Sequence, residues 1–243
     1  MPKQFDHLSN APIIEAIIDV RIEPAAEDRW THEGREFPLL LETHPTTELI
    51  IANLLQAQFA NEISLSSELQ REIIGYRFRN EHDVIQFRVD GFTFSMLPKY
   101  SSWDDLFEQA WQAWELYKEA RGDASIVRLA VRYINRMQFP IDQPLKTFLT
   151  APPHLPDTLR LPLRRFFTTY DVELNSETHA TIIQTVEPAT SGTLPFILDI
   201  DAYRTGSFTS DDKRIRETFE TLHEFKNEIF FESITEEAKK LWR

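Results

Sequence analysis

Alternating apolar and polar residues predict three β-strands that carry charged side chains on one face. They run from Pro12 to Glu23, from Ser125 to Phe139 and from Pro195 to Tyr203, with apolar residues at every second position over most of each segment. A two-residue period places one face of a strand on a core and leaves the other face polar. The polar faces carry a set of charged side chains, namely Glu15, Asp19, Arg128, Arg132, Arg136, Asp199 and Asp201.

Four other segments with alternating apolar and polar residues predict further strands. Arg71 to Arg79 and Val84 to Leu97 predict a hairpin around a turn at Asn80 to Asp83. Leu163 to Leu174 and His179 to Glu187 predict two more strands. Because short connections join several of these segments, we expect a mainly antiparallel sheet.

Helical periodicity is present in three segments. From Trp103 to Tyr117 the apolar residues recur three and four positions apart, after Ser102 as N-cap and before Gly122 as terminator. A second helix is predicted from Ser210 to Ser233, and a third from Thr47 to Glu62.

These elements predict an α+β fold, with a mainly antiparallel sheet and helices packed on one face. The chain of 243 residues suffices for a single compact domain, 1–243. The order strand, helix, strands, helix occurs twice, which allows two pseudo-repeated, tightly packed halves, 1–122 and 123–243. The polar segment from Pro24 to Pro45 is predicted to be a long, mobile loop.

Composition excludes several classes of protein. Without cysteine the chain has no disulfide framework, thiolate metal site or cysteine nucleophile, which favours a reducing compartment. Met1 to Ala11 lacks the pattern of a signal peptide, and no apolar run approaches the roughly 18 residues that cross a bilayer, so we expect a cytoplasmic protein without a membrane partner. A net charge of -13 disfavours nucleic acid and favours a protein partner or simple solubility.

Motifs of the common enzyme classes are missing. The six glycines form no phosphate-binding loop, dinucleotide fingerprint or nucleophile elbow. His223 comes nearest to a metal motif, but a zinc protease would carry a second His where Asn227 stands. We therefore predict no metal and no cofactor, assign no catalytic residue, and interpret His223 as a hydrogen-bonding residue on a helix surface.

The charged side chains of the predicted strands allow two interpretations. If their faces coincide in one sheet, carboxylates meet arginines across neighbouring strands. They then form either an ion-paired, solvated surface or a polar groove that binds a ligand. The candidate binding residues are the seven charged residues given above, together with His223.

Three segments resemble a known family. They are Ala11-Pro12-Ile13-Ile14-Glu15-Ala16 with Asp19-Val20-Arg21; Arg132-Tyr133-Ile134-Asn135-Arg136; and Leu222-His223 with Lys226-Asn227, Phe230 and Ser233-Ile234-Thr235. Taken together, they resemble a sporadically distributed family of uncharacterised bacterial and archaeal proteins of similar length. The resemblance covers nearly the whole chain and implies an α+β structure, but no catalytic residues.

Two hypotheses for the function stay open. Sporadic distribution is typical of transferred modules, so the resemblance suggests, by analogy, a toxin–antitoxin or phage-defence cassette. The first hypothesis is a non-enzymatic interaction or regulatory protein whose acidic surface binds a basic protein partner. The alternative is a small-molecule-binding or hydrolytic protein that uses a carboxylate/arginine groove. A pocket that gathers Glu15, Arg132, Asp199 and Asp201 would favour the alternative.

Overall fold

The computed structural model describes residues 5–24, 37–58, 66–98, 100–122, 124–156, 158–159, 164–189, 191–208 and 212–243, with the backbone alone at 39, 53–58 and 66–71. The strands are β1 (Ile13–Ile22), β2 (Thr46–Gln58), β3 (Ser66–Arg79), β4 (Asp83–Arg88), β5 (Gly91–Met96), β6 (Ile126–Pro140), β7 (Phe167–Asn175), β8 (Thr178–Val186) and β9 (Thr193–Phe208). The helices are α1 (Pro38–Thr43), α2 (Trp103–Arg121), α3 (Asp212–Ser233) and α4 (Glu236–Lys239).

These strands form one antiparallel sheet in the order β2-β3-β4-β5-β1-β6-β9-β8-β7. At its centre β1 pairs with β6, and Val20 lies opposite Leu129. On one side β1 adjoins the last strand of the meander β3-β4-β5, and on the other β6 adjoins the last strand of the meander β7-β8-β9. The prediction of an α+β fold with an antiparallel sheet is confirmed.

Aromatic contacts join α2 to the sheet. The rings of Trp114 and Phe92 lie 5.8 Å apart, and Phe92 is fully buried. The helix begins after Ser102, whose Oγ accepts a hydrogen bond from a backbone N–H of the first turn, and it ends at Gly122, which has a φ of 70°. A positive φ strains a residue with a Cβ, so glycine suits this end. The prediction of a helix from Trp103 is confirmed.

Helix α3 lies along β6 and β9 and contacts α2 through Phe219 and Phe107, whose rings are 5.6 Å apart. It buries the side chains of Ile215, Thr218, Phe219, Leu222, Lys226 and Phe230. The predicted helix is confirmed from Asp212 onward, and Ser210 lies outside the described residues. Among the described helices, none is long and apolar enough to cross a membrane.

A second apolar cluster lies beside the C-terminal end of the described chain. Phe139 stacks on Phe148 with ring centroids 4.6 Å apart, and Trp242 completes the cluster. The backbone N–H of Asn10 donates to the carbonyl oxygen of Trp242 at 3.0 Å. Thr235 caps α4 through its side chain. The first described residues are therefore fixed against the last ones.

The helix predicted from Thr47 to Glu62 is wrong. Residues 46–58 form β2, in which Leu49 pairs with Tyr76 of β3, and 59–62 lie outside the described residues. Leu49, an apolar residue of the predicted helix, is 51% exposed. Neighbouring β-branched residues such as Ile50 and Ile51 fit a strand better than a helix, and pairing along the hairpin decides the outcome.

The segment from Val84 to Leu97, predicted as one strand, is two. It turns at Val89 and Asp90 between β4 and β5. A Cβ on Gly91 would lie 2.2 Å from the carbonyl oxygen of Val20, so only glycine fits there. Asp90-Gly91 is a common hairpin signal that the sequence interpretation overlooked.

The irregular loop predicted from Pro24 to Pro45 falls mainly on residues 25–36, which lie outside the described residues. Pro38–Thr43 forms the helix α1, so the prediction of irregular structure is wrong there. Proline in the first turn of this helix agrees with its known preference for that position.

Candidate functional site

Charged side chains gather on the sheet face opposite the aromatic core. We call this surface the charged face and define it by Glu15, Asp19, Arg21, Arg88, Arg128, Arg132, Asp199 and Asp201. Alternation along β1, β4, β6 and β9 turns these residues away from the core, as the sequence predicts for β1, β6 and β9. The register between the strands determines which of the predicted side chains contact one another.

Arg128 forms the centre of an ion-paired row across three strands. Its Nη1 donates to Asp19 Oδ1 at 2.9 Å on β1, and its Nη2 donates to Asp201 Oδ2 at 2.7 Å on β9. The guanidinium also lies 4.6 Å from the ring centroid of Tyr203. Burial raises the pKa of Asp201, whereas the charges of Arg128 and Arg132 oppose that rise. The arginine is thus held in place by both neighbouring strands.

Arg132 makes a two-pronged ion pair with Asp199. Its Nε and Nη2 donate to the two carboxylate oxygens at 2.8 and 2.6 Å. The hydrogen bonds to Asp199 raise the pKa of Arg132, and the nearby charges of Asp201 and Glu15 act in the same direction. Asp199 is buried, whereas 41% of the Arg132 side chain is exposed. One end of this pair therefore remains open to a ligand.

The network extends from β1 toward β5 and β4. Asp19 also accepts from Arg21 Nε at 3.1 Å and from Thr93 Oγ1 at 2.9 Å. Farther out, Arg88 donates to both oxygens of Asp90. Burial would raise the pKa of Asp90, but hydrogen bonds from Arg88 hold it below its usual value. Sequence reasoning missed Arg88 and Asp90 as site residues because it missed the turn between β4 and β5.

Arg136 lies outside this network, whereas Glu15 lies in the groove of the charged face. Arg136 pairs with Glu187, at 2.8 Å between Nε and Oε2, and with none of the four predicted carboxylates. Glu15 lines the same groove as Arg132 and Asp201. That groove has a volume of about 520 Å³ and is open to solvent. Of the four residues that the groove hypothesis names, Glu15, Arg132 and Asp201 line this groove, whereas Asp199 is not among the lining residues and contacts it through Arg132.

His223 lies apart from the charged face, on helix α3. Its ring stacks on Trp103 at a centroid distance of 4.2 Å, and Asn227 Nδ2 donates to its Nε2 at 3.1 Å. Burial, assisted by the charge of Lys226, lowers the pKa of His223 to about 3. His223 is a hydrogen-bonding residue, but it is half-buried rather than on the helix surface. In the described part of the chain, no three His, Asp or Glu residues are placed to hold a metal ion.

A cavity of about 380 Å³ lies next to His223, and we call it the Lys226 cavity. It is lined by residues of the first described segment, the loop before α2, β6 and α3, chief among them Phe5, Asp6, His7, Tyr100, Trp103, Tyr133, Asn135, His223, Lys226, Asn227 and Phe231. The sequence analysis did not select Lys226 as a candidate binding residue. The available signal was the four-residue step from Leu222 to Lys226 and on to Phe230.

In comparisons with known proteins, no family model and no curated protein matches the chain. Function is therefore inferred from the geometry of its own surfaces and cavities.

Proposed function

We propose that this chain is a non-enzymatic interaction protein that binds a basic, extended segment of a partner protein along strand β7. The observation that carries the proposal is the apolar exposure of this strand at the end of the sheet. Its large exposed side chains are Phe167, Tyr170, Val172 and Leu174, at 68, 49, 36 and 48% exposure. Within the described residues, β7 has a paired neighbour on one side alone. An exposed, apolar edge strand is a template for a further strand.

The side chains of β7 define which segment would fit. Tyr170, Val172 and Leu174 alternate with two exposed acids, Asp171 and Glu173. The apolar residues thus point to the helix side of the sheet and the acids to the charged face. A partner strand with apolar and basic residues in alternation would match both sides. The net charge of -13 would also attract a basic partner at long range.

A designed peptide tests this proposal. An octapeptide of alternating lysine and valine should bind with a rise in fluorescence anisotropy, whereas its glutamate–valine counterpart should not. The double variant Asp171→Lys/Glu173→Lys should weaken binding of the lysine peptide at least tenfold, about 1.4 kcal/mol. The double variant Glu119→Lys/Glu224→Lys makes the same change of charge on exposed helix positions and should bind normally. Equal loss in both variants would show attraction by net charge alone and overturn the proposal.

The groove of the charged face supports a second candidate function, small-molecule binding. Arg132 is half-exposed there while Asp199 fixes its orientation, an arrangement that suits an anionic ligand. Arg132→Met should then abolish binding of inorganic phosphate, measured by calorimetry, and leave binding of the lysine–valine peptide unchanged. Phosphate binding that survives Arg132→Met would remove this candidate.

The remaining parts of the proposal concern architecture and setting. We infer that the helices cover one face of the sheet, which is supported by the contacts of α2 with Phe92 and of α3 with Tyr133 on the same side. The symmetric strand order about β1 and β6 supports two pseudo-repeated halves. The lack of cysteine supports a cytoplasmic location. The resemblance described above supports a role in a toxin–antitoxin or phage-defence cassette.

A further inference from the structure

Lys226 is a buried cation without an anionic partner. The residue is 5% exposed, and no carboxylate of the described chain forms a salt bridge with it. Its Nζ donates to Asn227 Oδ1 at 2.6 Å and lies 3.5 Å from the ring centroid of Tyr133. A buried ammonium is costly unless it is paired, and one amide and one aromatic ring do not supply a counter-charge.

Among the described residues, the groups that face Lys226 include no unpaired anion. His223 from α3 remains neutral above about pH 3 because burial lowers its pKa. Tyr133 from β6 and Tyr100 from the loop before α2 keep their protons, since burial raises the pKa of both. His7 and Asp6 come from the first described segment, and Asp6 Oδ2 accepts hydrogen bonds or ion pairs from Arg243 at 2.9 Å and Lys239 at 3.5 Å.

The cavity beside Lys226 offers room and suitable walls for a ligand. Its volume of about 380 Å³ falls in the range of sites for small molecules. Tyr133 donates its hydroxyl hydrogen to Tyr100 at 3.0 Å, so the Tyr100 hydroxyl can still donate to a ligand. Trp103 and Phe231 contribute aromatic surface that suits a flat, apolar body.

We propose that the Lys226 cavity binds a small organic anion, a flat carboxylate or phosphate whose charged group pairs with Lys226 Nζ. The hydroxyl of Tyr100 donates to the same group, and the aromatic walls hold the apolar body. This site is separate from strand β7 and from the charged face. Its occupancy does not depend on the proposed partner protein.

Binding of an anion is expected to take up a proton. Burial lowers the pKa of Lys226 to about 7 in the free protein, and a bound anion stabilises the protonated form. Affinity should therefore be highest below pH 7 and fall by up to about tenfold for each pH unit above it. A neutral ligand of the same shape should show no such dependence.

Calorimetry with benzoate, phenyl phosphate and benzyl alcohol tests the proposal on the whole chain. At least one anion should bind at pH 6, bind about thirtyfold more weakly at pH 8.5, and show proton uptake when buffers of different ionisation enthalpy are compared. Benzyl alcohol should bind more weakly than benzoate at pH 6. Failure of both anions to bind at up to about 10 mM, or equal affinity for the alcohol and the acid, would overturn the proposal.

Variants identify the group responsible. Lys226→Met should weaken binding of the anion at least tenfold, whereas Lys118→Met, a change on the surface of α2, should leave it unchanged. Unchanged affinity in Lys226→Met would also overturn the proposal. If that variant does not fold, the pH dependence and proton uptake of the unmodified chain decide the question. Asp171→Lys/Glu173→Lys should bind the anion normally, so this site and the proposed partner site can fail independently.

Discussion

The charged face and the Lys226 cavity differ in whether their cationic side chains have carboxylate partners and contact with solvent. On the charged face, Arg128 and Arg132 each contact carboxylates from neighbouring strands, and about a quarter or more of each side chain stays in solvent. In the cavity, Lys226 is buried and has no carboxylate partner in the described chain. Paired and partly solvated ions are compatible with folding, whereas an unpaired buried ion lowers stability. Buried Lys226 therefore lowers the stability of the fold, as residues of binding sites commonly do.

Removing the most heavily shared carboxylate should have the largest effect. Asp19→Ala deprives Arg21, Arg128 and Thr93 of their common acceptor inside the network. We expect the free energy of unfolding to fall by about 3–5 kcal/mol, measured by denaturant titration. Glu48→Ala breaks an exposed pair with Arg77 and should cost less than about 1 kcal/mol. Similar losses in the two variants would remove the distinction between network and surface pairs.

Removing the buried lysine should raise the free energy of unfolding. Lys226→Met deletes an unpaired charge and keeps an apolar side chain of similar length, so we expect a gain of about 1–3 kcal/mol in the free energy of unfolding at pH 6. In the unfolded chain the pKa of Lys226 returns to about 10.5, from about 7 in the folded protein. Between these values the unfolded state binds more protons, so the stability of the unmodified protein rises with pH. The advantage of the variant should shrink from pH 7 and vanish above pH 10.5. A destabilised variant at pH 6 would contradict this account of the cavity.

The neighbouring histidine should affect stability in acid. His223 has a pKa of about 3 when folded and about 6.5 when unfolded, so the unfolded state binds the extra proton between these values. Stability is lost as pH falls through this window. His223→Gln should reduce that loss by about 1–2 kcal/mol at pH 5, after its effect at pH 7.5 is subtracted. Parallel curves for the two proteins from pH 7.5 to pH 4 would show that His223 is not held neutral.

The peripheral arginine should matter least. Arg136→Met breaks the pair with Glu187, in which both side chains are more than a third exposed. We expect a change of less than about 1 kcal/mol in the free energy of unfolding. A larger loss would mean that this exposed pair is energetically coupled to the charged face.

Strand faces were predictable from the sequence, but the partners across strands were not. Alternation along β1, β6 and β9 predicted that the acids and arginines share a face, and the structure pairs Arg128 and Arg132 with three of the predicted carboxylates. Register determines which carboxylate meets which arginine, and a single sequence does not contain it. Arg136 therefore pairs with Glu187, a residue that the sequence analysis did not predict as its partner.

The wrong helix prediction and the missed buried lysine have separate physical causes. Leu49 to Ala57 has apolar spacing that suits a helix, yet long-range pairing with β3 makes it a strand. Lys226 was not predicted to be buried; lysine is rarely buried, and a functional site is where such an exception is expected. The cavity also depends on residues 5–9, Tyr100 and α3, whose proximity arises from the tertiary fold alone.

The contacts between the first and last described residues affect the order in which the sheet and the Lys226 cavity form during translation. Asp6 bonds to Arg243, and Asn10 bonds to the backbone of Trp242, so one wall of the Lys226 cavity is secured by residues that leave the ribosome more than two hundred positions later. The central strand β6 and its arginines emerge long before that wall can close. During translation, the sheet can thus begin to assemble while the cavity is still open, and the proposed ligand would be enclosed only after Trp242 and Arg243 have been made.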